Sequence, residues 1–268
     1  MYTYQGKTAL ITGASSGIGK AFAQALAARG TNLILVARSE NILHELAQQL
    51  TQQHGISATV LAADLCKEEA LATIQQEVQT RGLSVDLLIN NAGFATYGHF
   101  ETLDAQRDRE EVLVNVAAVV ELSHAFLPSM VARGAGAIIN VASLGSFQPA
   151  PYMAVYGASK AFVLSFSEAL WAEYRAKGIH VIALCPGPVA TSFFDRVGSD
   201  EEPAVGAKVK PEMVVMHALR VLERRQRSVV IPGWSNSVLS LLPRMIPRRM
   251  TARLVESLLR PGKAGAGR

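Results

Sequence analysis

The sequence predicts an α/β fold, a doubly wound parallel sheet of about seven strands with helices on both faces. Short apolar runs alternate with helical patterns along the chain, and such alternation produces parallel sheets through right-handed crossovers. Most of the runs are continuously apolar, as in strands covered on both faces. A glycine-rich loop also separates the first run from the first helix. We expect one domain over residues 1–268.

Seven segments are predicted strands because each is a short, mainly apolar run between turn-forming or polar residues. They are Thr8–Thr12, Asn32–Ala37, Ala58–Ala62, 85–90, 137–142, 180–185 and 228–231. Between them, apolar residues recur every three or four positions, which indicates helices. The predicted helices are 17–29, 40–53, 67–80, 103–133, 155–177 and 211–225.

The composition is that of a globular protein, with 49% hydrophobic and 18% charged residues. Cys66 and Cys185 lie far apart and form neither a disulfide framework nor a zinc spacing, so we expect a reducing, cytoplasmic location. The six histidines are scattered, and we predict no metal site. The first predicted strand begins at Thr8, so we expect no signal peptide.

Positive charge is concentrated near the C-terminus. The formal net charge is +4, but residues 244–268 hold seven basic residues and one acid, which leaves 19 basic and 21 acidic residues elsewhere. Because residues 1–243 carry almost no net charge, the sequence does not indicate a globally basic protein that binds nucleic acid. We therefore predict no nucleic-acid partner.

The first predicted strand ends in the sequence Thr-Gly-Ala-Ser-Ser-Gly-Ile-Gly, residues 12–19. Glycines let the backbone approach a pyrophosphate, and the N-terminus of the following helix offers it free N–H groups. The loop lies between a strand and a helix, as a dinucleotide site requires. Its predicted cofactor contacts are Gly13, Ser15, Ser16, Gly17, Ile18 and Gly19.

The end of the second strand indicates which dinucleotide is bound. NAD sites place Asp or Glu there, whereas an Arg accommodates the 2′-phosphate of NADP. This chain has Ala37 followed by Arg38, whose guanidinium pairs with phosphate in a fork geometry. Ser15 and Ser39 offer further donors, and Glu40 fits the first turn of the next helix. We expect NADP(H), with NAD(H) as the less favoured cofactor.

Tyr156 and Lys160 lie four residues apart on a predicted helix and therefore on one face. An ammonium beside a tyrosine stabilises the phenolate and lowers the pKa from about 10. Such a tyrosine protonates a carbonyl oxygen as hydride reaches its carbon, or does the reverse, and the Ser143 hydroxyl holds the same oxygen. Taken alone, the four-residue spacing also fits two residues that share one face of a helix without any catalytic role.

Together these features resemble the short-chain dehydrogenase/reductase superfamily over nearly the whole chain, to about Ile231. The matching residues are 12–19, Asp64, Asn90 to Gly93, Asn115, Ser143, Tyr156, Lys160, Pro186, Gly187 and Thr191. The resemblance implies a Rossmann-type fold and an NADP-preferring carbonyl or 3-oxoacyl reductase.

The resemblance also implies individual roles. Tyr156 is the general acid and base, and Ser143 orients and polarises the substrate carbonyl. Lys160 lowers the tyrosine pKa and bonds the nicotinamide ribose, while Asn115 holds a water in a proton relay to Lys160. Beyond the glycine-rich loop, the implied cofactor contacts are Arg38, Asp64, Leu65, Asn91, Ala92, Gly93, Tyr156, Lys160, Pro186, Gly187, Val189 and Thr191.

The substrate pocket is expected from residues 94–100, 144–153 and the long connection 186–210, which we predict to be a lid. Its candidate lining residues are mostly aromatic: Phe94, Tyr97, Phe147, Tyr152, Met153, Phe193 and Phe194. An apolar pocket suits a small hydrophobic oxo or hydroxy substrate such as a ketone, an aldehyde or a 3-oxoacyl group. For each aromatic residue, packing of the lid against the body is an equally good interpretation.

Residues 238–268 depart from the family pattern as a basic amphipathic extension. We consider three alternatives: a cover for the sheet edge or a subunit interface, which is preferred; peripheral contact with an anionic membrane; or a loosely ordered solvated tail. The long helices 103–133 and 155–177 resemble family dimerisation surfaces, so we expect a homodimer or homotetramer.

Alternative functions are a non-catalytic NADP(H)-binding module that docks through its tail, and an NAD-linked alcohol or hydroxysteroid dehydrogenase.

Overall fold

The computed structural model describes residues 2–193, 208–224, 227–233, 236–237 and 240–262. Within these residues, seven strands form one sheet: β1 (Thr8–Thr12), β2 (Asn32–Ala37), β3 (Ala58–Ala62), β4 (Leu87–Asn90), β5 (Gly136–Val141), β6 (Ile179–Leu184) and β7 (Val229–Val230). All neighbours pair in parallel, in the order β3-β2-β1-β4-β5-β6-β7. The order reverses at β1 and β4, where doubly wound folds bind ligands beyond the carboxyl ends of the strands.

Helices cover both faces of this sheet. They are α1 (Gly17–Ala27), α2 (Glu40–His54), α3 (Glu69–Thr80), α4 (Ala105–Val112), α5 (Ala118–Ala132), α6 (Ala154–Tyr174), α7 (Pro211–Arg224), α8 (Leu242–Met245) and α9 (Arg248–Leu259). Phe22 of α1 and Leu219 of α7 belong to the core on one face, whereas Ile74 of α3 and Phe126 of α5 belong to the core on the other. The predicted Rossmann-type fold class is confirmed.

The predicted helix over residues 103–133 is present as Ala105–Arg133, but it is not α-helical throughout. The segment consists of α4, a π-helical turn at Leu113–Ala117 and α5. A π turn holds one more residue than an α turn, and such turns are frequent at functional sites. It carries Asn115, which is completely buried.

The same segment, Ala105–Arg133, is long and apolar enough to cross a membrane by length and composition alone. Its apolar residues instead pack into the domain. Val114, Leu122, Phe126 and Met130 are buried with strand residues such as Ile138. This packing is that of a core helix.

Hydrogen-bonded side chains tie the strands of the site to α6. Asn90 and Asn140 are partners in the β4–β5 register, and Asn90 Nδ2 donates to Asn140 Oδ1 at 2.8 Å. Asn140 Nδ2 donates in turn to the Ser167 hydroxyl of α6 at 2.9 Å. These buried bonds fix the position of α6, and therefore of Tyr156 and Lys160, relative to the sheet.

The long connection and the C-terminal extension are described only in part. Residues 186–193 and 208–210 of the predicted lid are described, whereas Phe194 lies outside the described residues. Val189 forms an isolated parallel bridge with Val209, so the two ends of the connection lie side by side beside the cavity.

Candidate active site

A cavity of about 1220 Å³ lies beyond the carboxyl ends of the strands. It brings together nearly all of the residues predicted to bind cofactor or act in catalysis. Those that line it are Gly13, Ser15, Ser16, Gly17, Ile18, Arg38, Asp64, Leu65, Asn91, Ala92, Gly93, Ser143, Tyr156, Lys160, Pro186, Gly187, Val189 and Thr191. The two predicted residues outside this lining are Gly19 and Asn115, which lie behind the wall.

The glycines of the first loop are required by close packing. A Cβ on Gly19 would lie 2.3 Å from the carbonyl oxygen of Gly13, and one on Gly17 would lie 2.9 Å from Cγ2 of Thr191. Gly13 and Gly17 also have φ values of +65° and +54°, which side chains other than glycine rarely adopt. A side chain at Gly19 would therefore clash with the backbone of the loop.

The first loop is bonded to the segment that follows β4. Thr12 Oγ1 accepts hydrogen bonds from the backbone N–H of Asn91 and Ala92 at 2.9 and 3.0 Å. Asn91 Nδ2 donates to the carbonyl oxygen of Thr12 at 2.8 Å. The floor and the glycine-rich wall of the cavity are thus one bonded unit.

Arg38 and Ser39 are exposed side chains at the edge of the cavity beside Asp64 and Leu65. Glu40 lies in the first turn of α2, and its carboxylate is 3.6 Å from His44 Nε2. Asp64 Oδ1 accepts a hydrogen bond from the N–H of Cys66 at 3.2 Å, so it shapes the turn after β3. The size of the cavity and its glycine-rich wall fit a nicotinamide dinucleotide.

Three of the proposed catalytic side chains come from the turn after β5 and from α6. Ser143 begins the 3₁₀ turn Leu144–Phe147, and its hydroxyl accepts from the N–H of Gly145 at 3.1 Å. Lys160 is buried, and its Nζ donates to the carbonyl oxygen of Val141 at 2.8 Å. Lys160 Nζ lies 5.8 Å from the centre of the Tyr156 ring.

The expected lowering of the tyrosine pKa is wrong for this structure. Burial raises the pKa of Tyr156 to about 12, and its hydrogen bond with Ser143 offsets only part of that rise. Burial likewise lowers the pKa of Lys160 to about 8. Desolvation disfavours the charged form of each group, and it is the largest cause of both shifts. At neutral pH the hydroxyl of Tyr156 is therefore protonated.

Asn115 is held by bonds to both sides of the site. Its Oδ1 accepts from the N–H of Phe94 at 3.2 Å, and its Nδ2 donates to the carbonyl oxygen of Phe94 at 2.9 Å and to the Ser159 hydroxyl at 3.1 Å. A Cβ on Gly93 would lie 2.8 Å from Asn115 Oδ1 and 3.3 Å from Lys160 Nζ. Gly93 thus permits Asn115 to lie close to Lys160.

A buried carboxyl group next to Asn115 escaped the sequence analysis. Glu111 Oε2 accepts from the N–H and hydroxyl of Thr96 at 2.9 and 3.0 Å, and Asn115 Nδ2 lies 3.4 Å from Glu111 Oε1. Burial raises the pKa of Glu111 to about 7, although the bonds from Thr96 oppose the rise. One helical turn separates Glu111 from Asn115, but nothing in the sequence distinguishes it from the less buried acidic residues Asp108 and Glu110.

The predicted aromatic residues occupy different places. Phe94, Met153 and Phe193 line the cavity, and the Phe193 ring centre is 5.6 Å from that of Tyr156. Tyr97 and Tyr152 pack behind this lining, whereas Phe147 packs with Val163 of α6 in a separate cluster. Gln148 and Ala150, which were not singled out, also line the cavity.

Helix α9 completes the wall on the substrate side. Val255, Leu258 and Leu259 line the cavity, and the Tyr97 hydroxyl donates to the carbonyl oxygen of Leu259 at 2.8 Å. Arg260 hydrogen-bonds Glu256 and Tyr152. None of the three alternatives for the extension included this position. The amphipathic pattern identified the helix but carried no information about the surface that it packs on.

A sequence model of the short chain dehydrogenase family matches residues 7–202. The chain is a short-chain dehydrogenase. It is therefore an oxidoreductase of CH–OH and C=O groups that uses a nicotinamide cofactor.

This short-chain dehydrogenase is similar to several curated proteins. It is 35% identical to hydroxysteroid dehydrogenase-like protein 1 of Gallus gallus over 90% of this chain and 72% of that protein. It is 33% identical to very-long-chain 3-oxoacyl-CoA reductase of Anas platyrhynchos, over 89% of this chain and 76% of the other. The chain is also 33% identical to inactive hydroxysteroid dehydrogenase-like protein 1 of Homo sapiens, over 90% of this chain and 73% of that protein.

Solved short-chain dehydrogenase structures are similar over nearly the whole chain. One, from Sphingobium yanoikuyae in complex with NADPH, has a TM-score of 0.80 and 33% identity, over 97% of this chain and 99% of that one. The bulky-bulky ketone specific alcohol dehydrogenase from Comamonas testosteroni has a TM-score of 0.76 and 32% identity, over 96% of each chain. A member from Burkholderia phymatum in complex with NAD has a TM-score of 0.79 and 26% identity, over 90% and 94%.

Proposed function

We propose that this short-chain dehydrogenase reduces a hydrophobic ketone, aldehyde or 3-oxoacyl group with NADPH, and that Tyr156 is the general acid. The observation that carries the proposal is the position of Ser143 and Tyr156 in one cavity with Phe94, Met153 and Val255. An oxygen held at the two hydroxyls has apolar neighbours for the rest of the molecule. A related reductase of 3-oxoacyl-CoA and a related bulky-ketone dehydrogenase support this substrate class.

In this mechanism the nicotinamide supplies the hydride when it is bound. The Ser143 and Tyr156 hydroxyls hold the substrate oxygen, and Tyr156 donates its proton to that oxygen as the carbonyl is reduced. Burial raises the pKa of Tyr156 to about 12, so at neutral pH its hydroxyl is in the protonated form that a general acid needs. Lys160, mostly charged at neutral pH with a pKa of about 8, stabilises the phenolate that forms.

Arg38 is the basis for proposing NADPH rather than NADH. Its exposed guanidinium lies at the end of β2 on the edge of the cavity, and the carboxylate of the nearby Glu40 lies 3.6 Å from His44 Nε2. An Arg at this position accommodates a 2′-phosphate. One similar structure holds NADPH and another holds NAD. The proposed preference for NADPH therefore rests on the residues of this chain.

The test is NADPH oxidation over a panel of ketones, aldehydes and 3-oxoacyl thioesters, with Tyr156→Phe as the matched variant. We expect turnover of the larger apolar members, and a loss of roughly 10²- to 10⁴-fold in the variant, because general acid catalysis contributes about that much. Equal turnover by both proteins would remove Tyr156 from the mechanism. Cofactor binding without turnover of any substrate would favour the non-catalytic module.

We propose a second role, peripheral docking on an anionic membrane, for the outer surface of α8 and α9. Met245 and Met250 are 83% and 60% exposed, and Arg248, Arg249 and Arg253 are exposed on the same segment. Exposed apolar side chains among arginines suit the boundary between anionic head groups and acyl chains. The cytoplasmic location predicted from the cysteines is compatible with such reversible contact.

Vesicle sedimentation tests this role. Binding to phosphatidylserine-containing vesicles should weaken when Met245 and Met250 are both changed to Glu, and it should weaken at high salt. Met213→Glu is the matched control, because Met213 is equally exposed on α7. If the double variant instead changes the mass measured by sedimentation equilibrium, the surface is a subunit interface.

We also propose a homodimer or homotetramer that uses α5 and α6. Phe162 of α6 is 41% exposed, and its ring stacks on Phe166 with centres 5.7 Å apart. Exposed aromatic residues are typical of interface cores. A smaller mass for Phe162→Glu than for the wild type would support this interface, and an unchanged mass would contradict it.

A further inference from the structure

The wall of the main cavity contains a cation that has no role in the proposed mechanism. Arg107 of α4 lines this cavity together with Leu65, Cys66 and Val114. Arg107 and Val114 are seven residues apart, which is about two helical turns, so they lie on one face of their segment. Because both residues line the cavity, this face is the one turned towards it.

The guanidinium of Arg107 lies over the ring of Phe94. Its central carbon is 4.4 Å from the centre of that ring, which is within the range of a cation–π interaction. The ion pair with Glu110 is longer than a hydrogen bond, at 3.9 Å between Arg107 Nη1 and Glu110 Oε2. The side chain of Arg107 is 36% exposed, so it is accessible in the wall that it helps to form.

This part of the cavity is where the adenosine half of the cofactor is expected. The residues after the second strand of a dinucleotide site contact the adenosine ribose, at its 2′-hydroxyl in NAD or its 2′-phosphate in NADP. Arg38 has that position here. The charges of Arg38 and Glu110 both act on the Cys66 thiol, so the end of β2 and helix α4 meet around Cys66. A base attached to a ribose at Arg38 therefore reaches Cys66 and Arg107.

The charges around Cys66 favour an uncharged base over a phosphate group. The pKa of the Cys66 thiol is raised to about 11, mainly by burial and then by the carboxylates of Asp64 and Glu110, whereas Arg38 opposes the rise. Surroundings that disfavour a thiolate also disfavour the oxygens of a phosphate. A purine is flat and uncharged, so it suits a wall of apolar side chains and one guanidinium.

We propose that Arg107 is a cofactor-binding residue whose guanidinium stacks on the adenine base, in a site completed by Leu65, Cys66 and Val114. Guanidinium planes stack on bases as they do on aromatic side chains. The contact with Phe94 orders the guanidinium before the cofactor binds. The inference needs a nicotinamide dinucleotide, which the family uses, but it does not depend on the proposed substrate or on the preference for NADPH.

The experiment measures cofactor affinity rather than turnover. NADPH, NADH and reduced nicotinamide mononucleotide, which lacks the adenylate half, are titrated into wild type, Arg107→Ala, Arg107→Lys and Arg109→Ala. Nicotinamide fluorescence follows binding, and the melting temperature of each protein reports its folding. Lysine keeps the charge of Arg107 but lacks the flat guanidinium. Arg109 is exposed on the same helix and lies outside the cavity lining, so its variant is the control.

We expect Arg107→Ala to raise the Kd for NADPH and for NADH alike by roughly three- to thirtyfold, the size of one lost cation–π or stacking contact. Arg107→Lys should lose most of this affinity too, because its charge alone does not stack. The Kd for the mononucleotide, and every Kd of Arg109→Ala, should equal that of the wild type. Unchanged affinities in Arg107→Ala would overturn the proposal.

Two other results would overturn it as well. A loss confined to NADPH and restored by lysine would indicate an ion pair with the 2′-phosphate, and an equal loss for the mononucleotide would indicate a general disturbance of the cavity. If Arg107→Ala melts early, Arg107→Lys decides by the same comparison of three ligands. Failure of the wild type to reduce any ketone would contradict the proposed function and leave this affinity test intact.

Discussion

The two halves of the cavity are built differently. On the cofactor side, Gly13, Arg38, Asp64 and Asn91 follow consecutive strands of the sheet, and the loops that hold them are bonded to each other. On the substrate side, the wall combines a loop after β4, a turn after β5 and helix α9 near the end of the chain. The first half is fixed by strand order, whereas the second depends on a few contacts between distant segments. We expect the cofactor half to tolerate few substitutions and the substrate half to determine which substrate is bound.

The largest expected effect concerns Glu111, which lies behind both halves. Its pKa is raised from 4.5 to about 7 in the folded protein, so the folded state binds the proton more tightly than the unfolded state does. The stabilisation is complete below about pH 4.5 and is lost as the pH rises through about 7. It amounts to on the order of 3 kcal/mol.

Urea unfolding of wild type and Glu111→Gln between pH 4.5 and 8 measures this effect. The free energy of unfolding of the variant should lack the decline with pH that Glu111 contributes. Glu110→Gln is the control, because Glu110 is partly exposed beside Arg107 and its variant should keep the decline. Identical slopes for all three proteins would show that Glu111 ionises normally.

Arg38→Asp probes the cofactor half alone. Under the proposal that Arg38 pairs with the 2′-phosphate, replacing its guanidinium by a carboxylate should raise the Kd for NADPH by roughly 10- to 100-fold. The Kd for NADH should stay the same or fall, and the KM for the ketone should not change. Fluorescence titration measures both cofactors. Unchanged affinity for NADPH would mean that the 2′-phosphate is held elsewhere.

Tyr97→Phe probes the substrate half with a smaller change. It removes the hydroxyl that donates to the carbonyl oxygen of Leu259 at 2.8 Å, a bond contributing about 1 kcal/mol. We expect kcat/KM for large ketones to fall by roughly fivefold and the Kd for NADPH to stay constant. Tyr174→Phe, far from the cavity in α6, should have neither effect. A change in NADPH affinity would show that the two halves are not independent.

The contrast between the two halves of the cavity also explains which features could be predicted from the sequence. The strands and the residues at their carboxyl ends followed from apolar runs and local spacing, because parallel strands bring those ends together. Asn115 was placed on the correct helix, but the π turn that holds it depends on packing against α6 and Phe94. The pKa of Tyr156 was mispredicted because the largest cause of its shift is burial, which spacing in the sequence does not reveal.

Helix α9 shows most clearly what could not be predicted from the sequence. Its amphipathic pattern predicted a packing surface, and the charge near it drew attention to membranes and interfaces. Its place beside the cavity is fixed by Tyr97 and Tyr152, more than 100 residues away in sequence. Long-range contacts of this kind leave no periodic signal in a single sequence.

The central claim is that one cavity joins hydride transfer to proton donation by Tyr156. Its most direct test uses NADPH carrying deuterium at both C4 positions of the nicotinamide, and mass spectrometry of the alcohol formed from a large ketone. We expect wild type to place one deuterium on the carbinol carbon, and Tyr156→Phe to bind NADPH normally but form product roughly 10²- to 10⁴-fold more slowly. An alcohol without deuterium, or equal rates for the two proteins, would contradict the claim.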